Sequence, residues 1–127
     1  MSLRSDLGRV KGLGSAKEGV GHWRLQRLTA MALVPLSLWF VLGLLCVLND
    51  SHADVVAWVS APHVTVLLIA LSVLLFWHLQ LGLQVVIEDY VHAPWKQIAL
   101  QFGVRVGAGL GALVAIVSVL KISLALG

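Results

Sequence analysis

The feature that most limits what this chain can fold into is a stretch of twenty-one residues, Leu28 to Leu48, without one charged side chain. A helix of that length rises about 30 Å, the thickness of a bilayer's hydrocarbon core. Inside hydrocarbon, every backbone N–H and C=O must be satisfied within the segment, which selects a helix here. A second uncharged run, Val55 to Ile87, is too long for one ordinary span. Pro62 divides it. Ala53 to Ala61 is expected at the interface with Trp58 as an anchor, and the span itself covers about His63 to Ile87. A third run, about Ala99 to Leu126, carries Arg105 and Lys121 near its ends, where long basic side chains can snorkel. The expectation is an all-α membrane protein with three transmembrane helices after an N-terminal arm over residues 1–27.

Composition supports a single membrane unit. Of 127 residues, 59% are hydrophobic and 12% charged, against roughly 25% charged in ordinary soluble domains. The net charge of +3 does not describe a nucleic-acid footprint, because six of nine basic residues (Arg4, Arg9, Lys11, Lys17, Arg24, Arg27) precede the first apolar run. That clustering marks a cytoplasmic flank, and Lys96 in the second loop falls on the same side. The N-terminus is therefore expected in the cytoplasm and the C-terminus outside. The long basic stretch, with no small-residue cleavage pattern after the first apolar run, does not read as a signal peptide. The one cysteine, Cys46, excludes an intramolecular disulfide and a thiolate metal cluster. The glycines of the arm (Gly8, Gly12, Gly14, Gly19, Gly21) follow no predicted strand, so they do not form a phosphate-binding loop.

The chemistry concentrates between Phe76 and Trp95, FWHLQLGLQVVIEDYVHAPW. His78 is an ionisable residue inside a span, where such residues mark functional sites. At 100° per residue, His78, Gly82, Val85 and Asp89 share one helix face. His78 lies roughly 16 Å along the axis from Asp89, near the membrane midplane or somewhat toward the cytoplasmic side. Gly82, one turn away, leaves clearance beside the imidazole for a flat macrocycle. A neutral imidazole is a haem iron ligand, and a low-spin haem needs a second axial ligand. His22 and His92 flank the cytoplasmic surface, His52 is in the outer loop, and His63 is about 22 Å from His78 along the same helix. A second ligand would thus come from another polypeptide. The residue also admits a plainer role, as a polar group hydrogen-bonding across a helix interface.

At the end of the same face, Glu88 and Asp89 sit where the helix dipole disfavours negative charge. The Tyr90 hydroxyl can donate to a carbonyl oxygen, Asp89 can orient a cation or relay protons, and Arg27 enters the first span on the same side. Together they suit a quinone head group, while an interfacial tyrosine with a solvated acidic cap is the alternative. In the third span Gly103, Gly107 and Gly111, continued by Ala115, form a small-residue stripe suited to a close helix contact.

Three features, HWRLQRLTA at His22 to Ala30, the pattern H-x3-G-x6-DY from His78 to Tyr90, and three spans in 127 residues, make the chain resemble the hydrophobic membrane anchor subunits of succinate dehydrogenase (respiratory complex II). The resemblance covers essentially the whole chain and is carried mainly by the second-span motif. It implies a multi-pass protein of the bacterial cytoplasmic (inner) membrane that packs with a cytochrome b subunit into a haem-containing bundle and docks an iron–sulfur and a flavoprotein subunit. It implies His78 as an axial ligand of a shared haem b. Tyr90 would hydrogen-bond a ubiquinone carbonyl with Asp89 in support, and Arg27 and His22 would lie near the haem propionates and the quinone pocket. The chain would carry no succinate chemistry itself. A fumarate reductase anchor and a structural assembly subunit without haem are the rival readings.

Overall fold

The computed structural model describes residues 13–124, with side chains from Val20 onward. Arg4, Arg9, Lys11, Gly8, Gly12 and the end of the third expected span at Leu126 lie outside the described residues. Four helices follow one another, which we label α1 (Leu13–Val47), α2 (His52–Ser60), α3 (Pro62–Tyr90) and α4 (Pro94–Ser123), with no strand among the described residues. Val20–Val47 of α1, all of α3 and all of α4 are long and apolar enough to cross a membrane. The three expected spans are therefore present as helices. They run further than their uncharged cores, because α1 continues back through Arg27, Arg24 and His22 and α3 continues through Glu88 and Asp89 to Tyr90.

Local sequence explains the breaks. Ser51 caps α2, its side chain accepting from the Asp54 backbone N–H at 3.2 Å and donating to the Asp54 carboxylate at 2.8 Å. Pro62 opens α3 at its first position, where the missing N–H is no loss. Pro94 opens α4 in the same way after the three-residue link Val91–Ala93. Gln97 donates its side-chain amide to the Val91 carbonyl at 3.2 Å and fastens that link.

The helices form a row with α3 in the middle. It packs against α1 on one side and α4 on the other, and no Cα of α1 comes within 8 Å of α4. Both pairs are antiparallel: Thr29 and Gln26 of α1 meet His78 and Gly82 of α3, and Phe76 and Thr65 of α3 meet Gly111 and Ser123 of α4. The small core sits at the α2 end, where Val59, Val64 and Leu68 are buried beneath Trp39, Phe40, Trp58 and Val119. Trp58, expected as an interfacial anchor, turns onto α1. A Cβ at Gly43 would lie 2.7 Å from the Trp58 ring, and Trp39 tilts against it at 6.1 Å between centroids.

A hydroxyl latch closes the same end. Buried Thr65 donates to the Val59 carbonyl at 2.7 Å, so the 2.8 Å contact with Ser123 is a hydrogen bond donated by the serine. Ser60 donates to the Ile122 carbonyl at 3.3 Å. Replacing Thr65 with valine keeps the shape and removes the shared hydroxyl. A loss of about 1 kcal/mol is expected in denaturant titrations of the detergent-solubilised protein.

The glycine stripe of α4 divides. Gly111 lies under Phe76 of α3, so close that a Cβ would stand 2.5 Å from the ring, whereas Gly103 and Gly107 have nothing within 4 Å. The expected close contact is thus made inside the chain at Gly111 only. No residue of α4 is buried.

Candidate functional site

His78 sits sixteen residues into α3 from Pro62 and twelve before Tyr90, about 18 Å from the Tyr90 end. It is half-buried and faces α1. Its Nδ1 lies 2.8 Å from the Thr29 hydroxyl oxygen, which also stands 2.8 Å from the Leu25 carbonyl and 3.0 Å from the Gln26 carbonyl. Thr29 is 2% exposed, the more buried of the two buried polar residues. The spacing of His22, Gln26, Thr29 and Leu33 (4-3-4) places all four on one face of α1, and that face meets α3. Leu33 is buried, Thr29 contacts His78 directly, and Gln26 faces Gly82, its amide 3.6 Å from where a Cβ would stand.

Beside His78, an apolar groove of about 560 Å³ runs along α1, lined by Ala30, Leu33, Val34, Ser37, Leu38 and Val41. Gly82 does not border this groove. A Cβ there would meet the Gln26 amide at 3.6 Å, so the space beside the glycine is occupied by Gln26. Nε2 of His22 and Oε1 of Gln26 are buried with no hydrogen-bond partner among the described residues. Both belong to the stretch of α1 that runs from Thr29 toward the Tyr90 end.

The remaining expected residues are not drawn together. Arg27 lies over the Trp23 ring, 4.6 Å from its centroid, on an exposed part of α1. No contact joins it to Asp89 or Tyr90 among the described residues. Asp89 is exposed and Tyr90 is 79% exposed. Being on one side of a membrane does not set the rotation of α1, and within this chain Gln26 and His22 turn inward where Arg27 turns out. Glu88 is held by the Gln84 amide at 3.2 Å, and Gln84 by Gln80 at 3.3 Å, a ladder along α3 that offsets the unfavourable acidic end. Gln80 and Trp77 point to the α4 side, where they line a smaller groove with Arg105.

Two site residues were not legible as such in the sequence, Thr29 and Gln26. Their spacing from His22 is a signal only once the face of α1 that meets α3 is known.

The fold and the site together define an integral membrane protein of three apolar helices that holds a half-buried histidine, His78, at midspan beside an open apolar groove. The family described as succinate dehydrogenase/fumarate reductase transmembrane subunit matches residues 1–120. The chain is 38% identical over 90 residues to the succinate dehydrogenase hydrophobic membrane anchor subunit of Rickettsia bellii (strain RML369-C), covering 70% of this chain and 71% of that one. It is 35% identical over 90 residues to the subunit of the same name from Rickettsia conorii (strain ATCC VR-613 / Malish 7), covering 70% and 71%. To the succinate dehydrogenase membrane anchor subunit of Reclinomonas americana it is 33% identical over 93 residues, covering 71% and 78%. No solved structure matches it. The chain belongs to the succinate dehydrogenase/fumarate reductase transmembrane subunit family, on the side of the succinate dehydrogenase membrane anchors.

Proposed function

We propose that the chain is the anchor that holds a succinate:quinone oxidoreductase in the bacterial cytoplasmic membrane, with its N-terminus on the cytoplasmic side. In this reading it shares one haem b with a cytochrome b subunit, contributes to a ubiquinone site, and docks the iron–sulfur and flavoprotein subunits. The relatives named above are succinate dehydrogenase anchors, which favours that direction of electron flow over a fumarate reductase.

The observation that carries the haem assignment is His78, a half-buried imidazole in the middle of a span beside an apolar groove open on one side. The donor set fits the group. Apolar walls suit a porphyrin face, the imidazole suits iron, and a partner helix would close the groove and bring the second ligand. Haem b held there supplies a one-electron centre at the membrane interior. His22 carries a buried nitrogen that a propionate would pair, and exposed Arg27, stacked on Trp23, offers a guanidinium to a propionate or to the quinone. Gly82 faces Gln26 of α1, where a Cβ would stand at an ordinary 3.6 Å contact, so no haem clearance is assigned to it.

Tyr90 and Asp89, exposed at the end of α3, are the residues assigned to the quinone head group, the phenol donating to its carbonyl oxygen and the carboxylate orienting that donor. In the assembled complex, Tyr90→Phe is expected to lower quinone reduction by about tenfold or more, the loss of a hydrogen bond strengthened at the reacting carbonyl, while succinate oxidation by an artificial dye stays unchanged. Unchanged quinone reduction would remove the assignment, whereas equal loss of both activities would mean failed assembly.

A further inference from the structure

We propose that Thr29 is a positioning residue for His78, its hydroxyl holding the imidazole in the tautomer protonated at Nδ1 so that Nε2 is the nitrogen offered to iron. The inference rests on the haem reading given above and concerns what sets the ligand's orientation and basicity.

A threonine hydroxyl has one proton and an oxygen that also accepts. The Thr29 oxygen has three close neighbours: the Leu25 carbonyl at 2.8 Å, the Gln26 carbonyl at 3.0 Å and His78 Nδ1 at 2.8 Å. Both carbonyl oxygens are acceptors only, so two of the three contacts require the threonine proton on their side. Turning that proton toward Nδ1 would leave the hydroxyl lone pairs facing both carbonyl oxygens in a site 2% exposed. All three contacts become attractive in one arrangement. The Thr29 proton is shared between the two carbonyls, and Nδ1–H donates to the Thr29 oxygen. The tautomer follows from that network, and in a neutral ring the lone pair is then on Nε2.

The oxygen is also firmly placed. Threonine is β-branched, and bonding back to the preceding turn fixes its χ1 rotamer. Both residues stand on long helices rather than loops, which keeps the pair in register. A donor hydrogen bond from the non-ligating nitrogen fixes the ring plane and makes the ligating nitrogen more basic, and loss of such a partner typically lowers metal affinity about 10- to 100-fold. A contact serving only as glue between α1 and α3 would affect stability and nothing else.

The test is the purified complex carrying Thr29→Val, which keeps the shape and removes the hydroxyl, or Thr29→Ser, which keeps the hydroxyl, with His78→Leu in parallel. Haem per complex, haem midpoint potential and the electron paramagnetic resonance g-values of the oxidised haem are measured, with succinate–dye activity as the check of assembly. Thr29→Val is expected to weaken haem retention about 10- to 100-fold, to raise the midpoint potential because a less basic imidazole stabilises ferric iron less, and to shift the g-values. Thr29→Ser is expected to restore all three. Thr29→Ala carries the same expectations should valine block assembly. Wild-type retention, potential and g-values in the hydroxyl-free variants, with haem lost in His78→Leu, would overturn the role of Thr29 and leave the ligand intact. An unchanged spectrum in His78→Leu would instead overturn the ligand assignment on which the inference rests.

Discussion

Replacing His78 with leucine is expected to abolish the low-spin b-type haem spectrum of the assembled complex. The chain offers no substitute at that depth. His63 stands fifteen residues away on the same helix, about 22 Å along the axis, and His52 heads α2 beyond it. His22, on α1, belongs to the level between Thr29 and the Tyr90 end. If His78 is one of two axial ligands, as proposed, haem per complex is expected to fall about tenfold or more on its loss, or the remaining haem to become high-spin. Leucine suits the surroundings, since the groove beside it is lined by alanine, leucine and valine. Succinate oxidation by an artificial dye, which bypasses the membrane site, is expected to persist. A low-spin spectrum of wild-type intensity in a complex that retains dye activity would leave His78 as an interhelical polar contact and nothing more.

The second large effect is expected at Gly111. A Cβ at this position would lie 2.5 Å from Phe76 Cε1 and 2.9 Å from Cζ, against the edge of a rigid ring held between α3 and α4. Gly111→Ala is expected to destabilise the α3–α4 pair by about 1–3 kcal/mol through overpacking, and Gly111→Leu to prevent a stable pair. The comparison lies within the same stripe, because Gly103 and Gly107 meet open space and their alanine variants should leave the isolated chain unchanged. Pairing Gly111→Ala with Phe76→Leu removes the obstructing ring edge and is expected to recover much of the loss, a coupling visible in a double-mutant cycle. The measurement is the midpoint of denaturant titration in detergent. Equal effects at Gly103 and Gly111 would mean that the α3–α4 crossing lies elsewhere.

The fold was largely legible in the sequence because hydrocarbon leaves few options. An uncharged run of the length of Leu28–Leu48 has one inexpensive conformation, and Pro62 ends α2 and opens α3 for a reason visible in its own covalent structure. His78 stands out in the sequence for the same reason, since an ionisable group at midspan is costly without a partner. The rotation of α1 was not legible. In His22–Trp23–Arg24–Leu25–Gln26–Arg27, polar residues point in every direction and the charges draw the eye, yet the residues that meet α3 are Gln26 and, one turn on, Thr29. Hydropathy treats threonine in a span as ordinary, and only the register of two antiparallel helices brings a hydroxyl to an imidazole 49 positions away. The glycine stripe was misleading in extent for a related reason. Within the chain the stripe is tight at Gly111 and open at Gly107 and Gly103, because α3 approaches α4 closely at the level of Phe76 and not at those two glycines.

The row arrangement has an evolutionary consequence. Phe76 and His78 are two residues apart on α3 and so project about 200° from one another around its axis, one toward α4 and the other toward α1. Away from the α2 end, where both flanking helices join one core, no Cα of α1 comes within 8 Å of α4, so selection on the Phe76–Gly111 seam acts on a different set of positions from selection on the histidine face. Substitutions at the two seams should combine additively. A lineage that rebuilds the Gly111 side of α4 around a new neighbour or a thicker bilayer would then leave the face that holds His78 and Thr29 largely undisturbed.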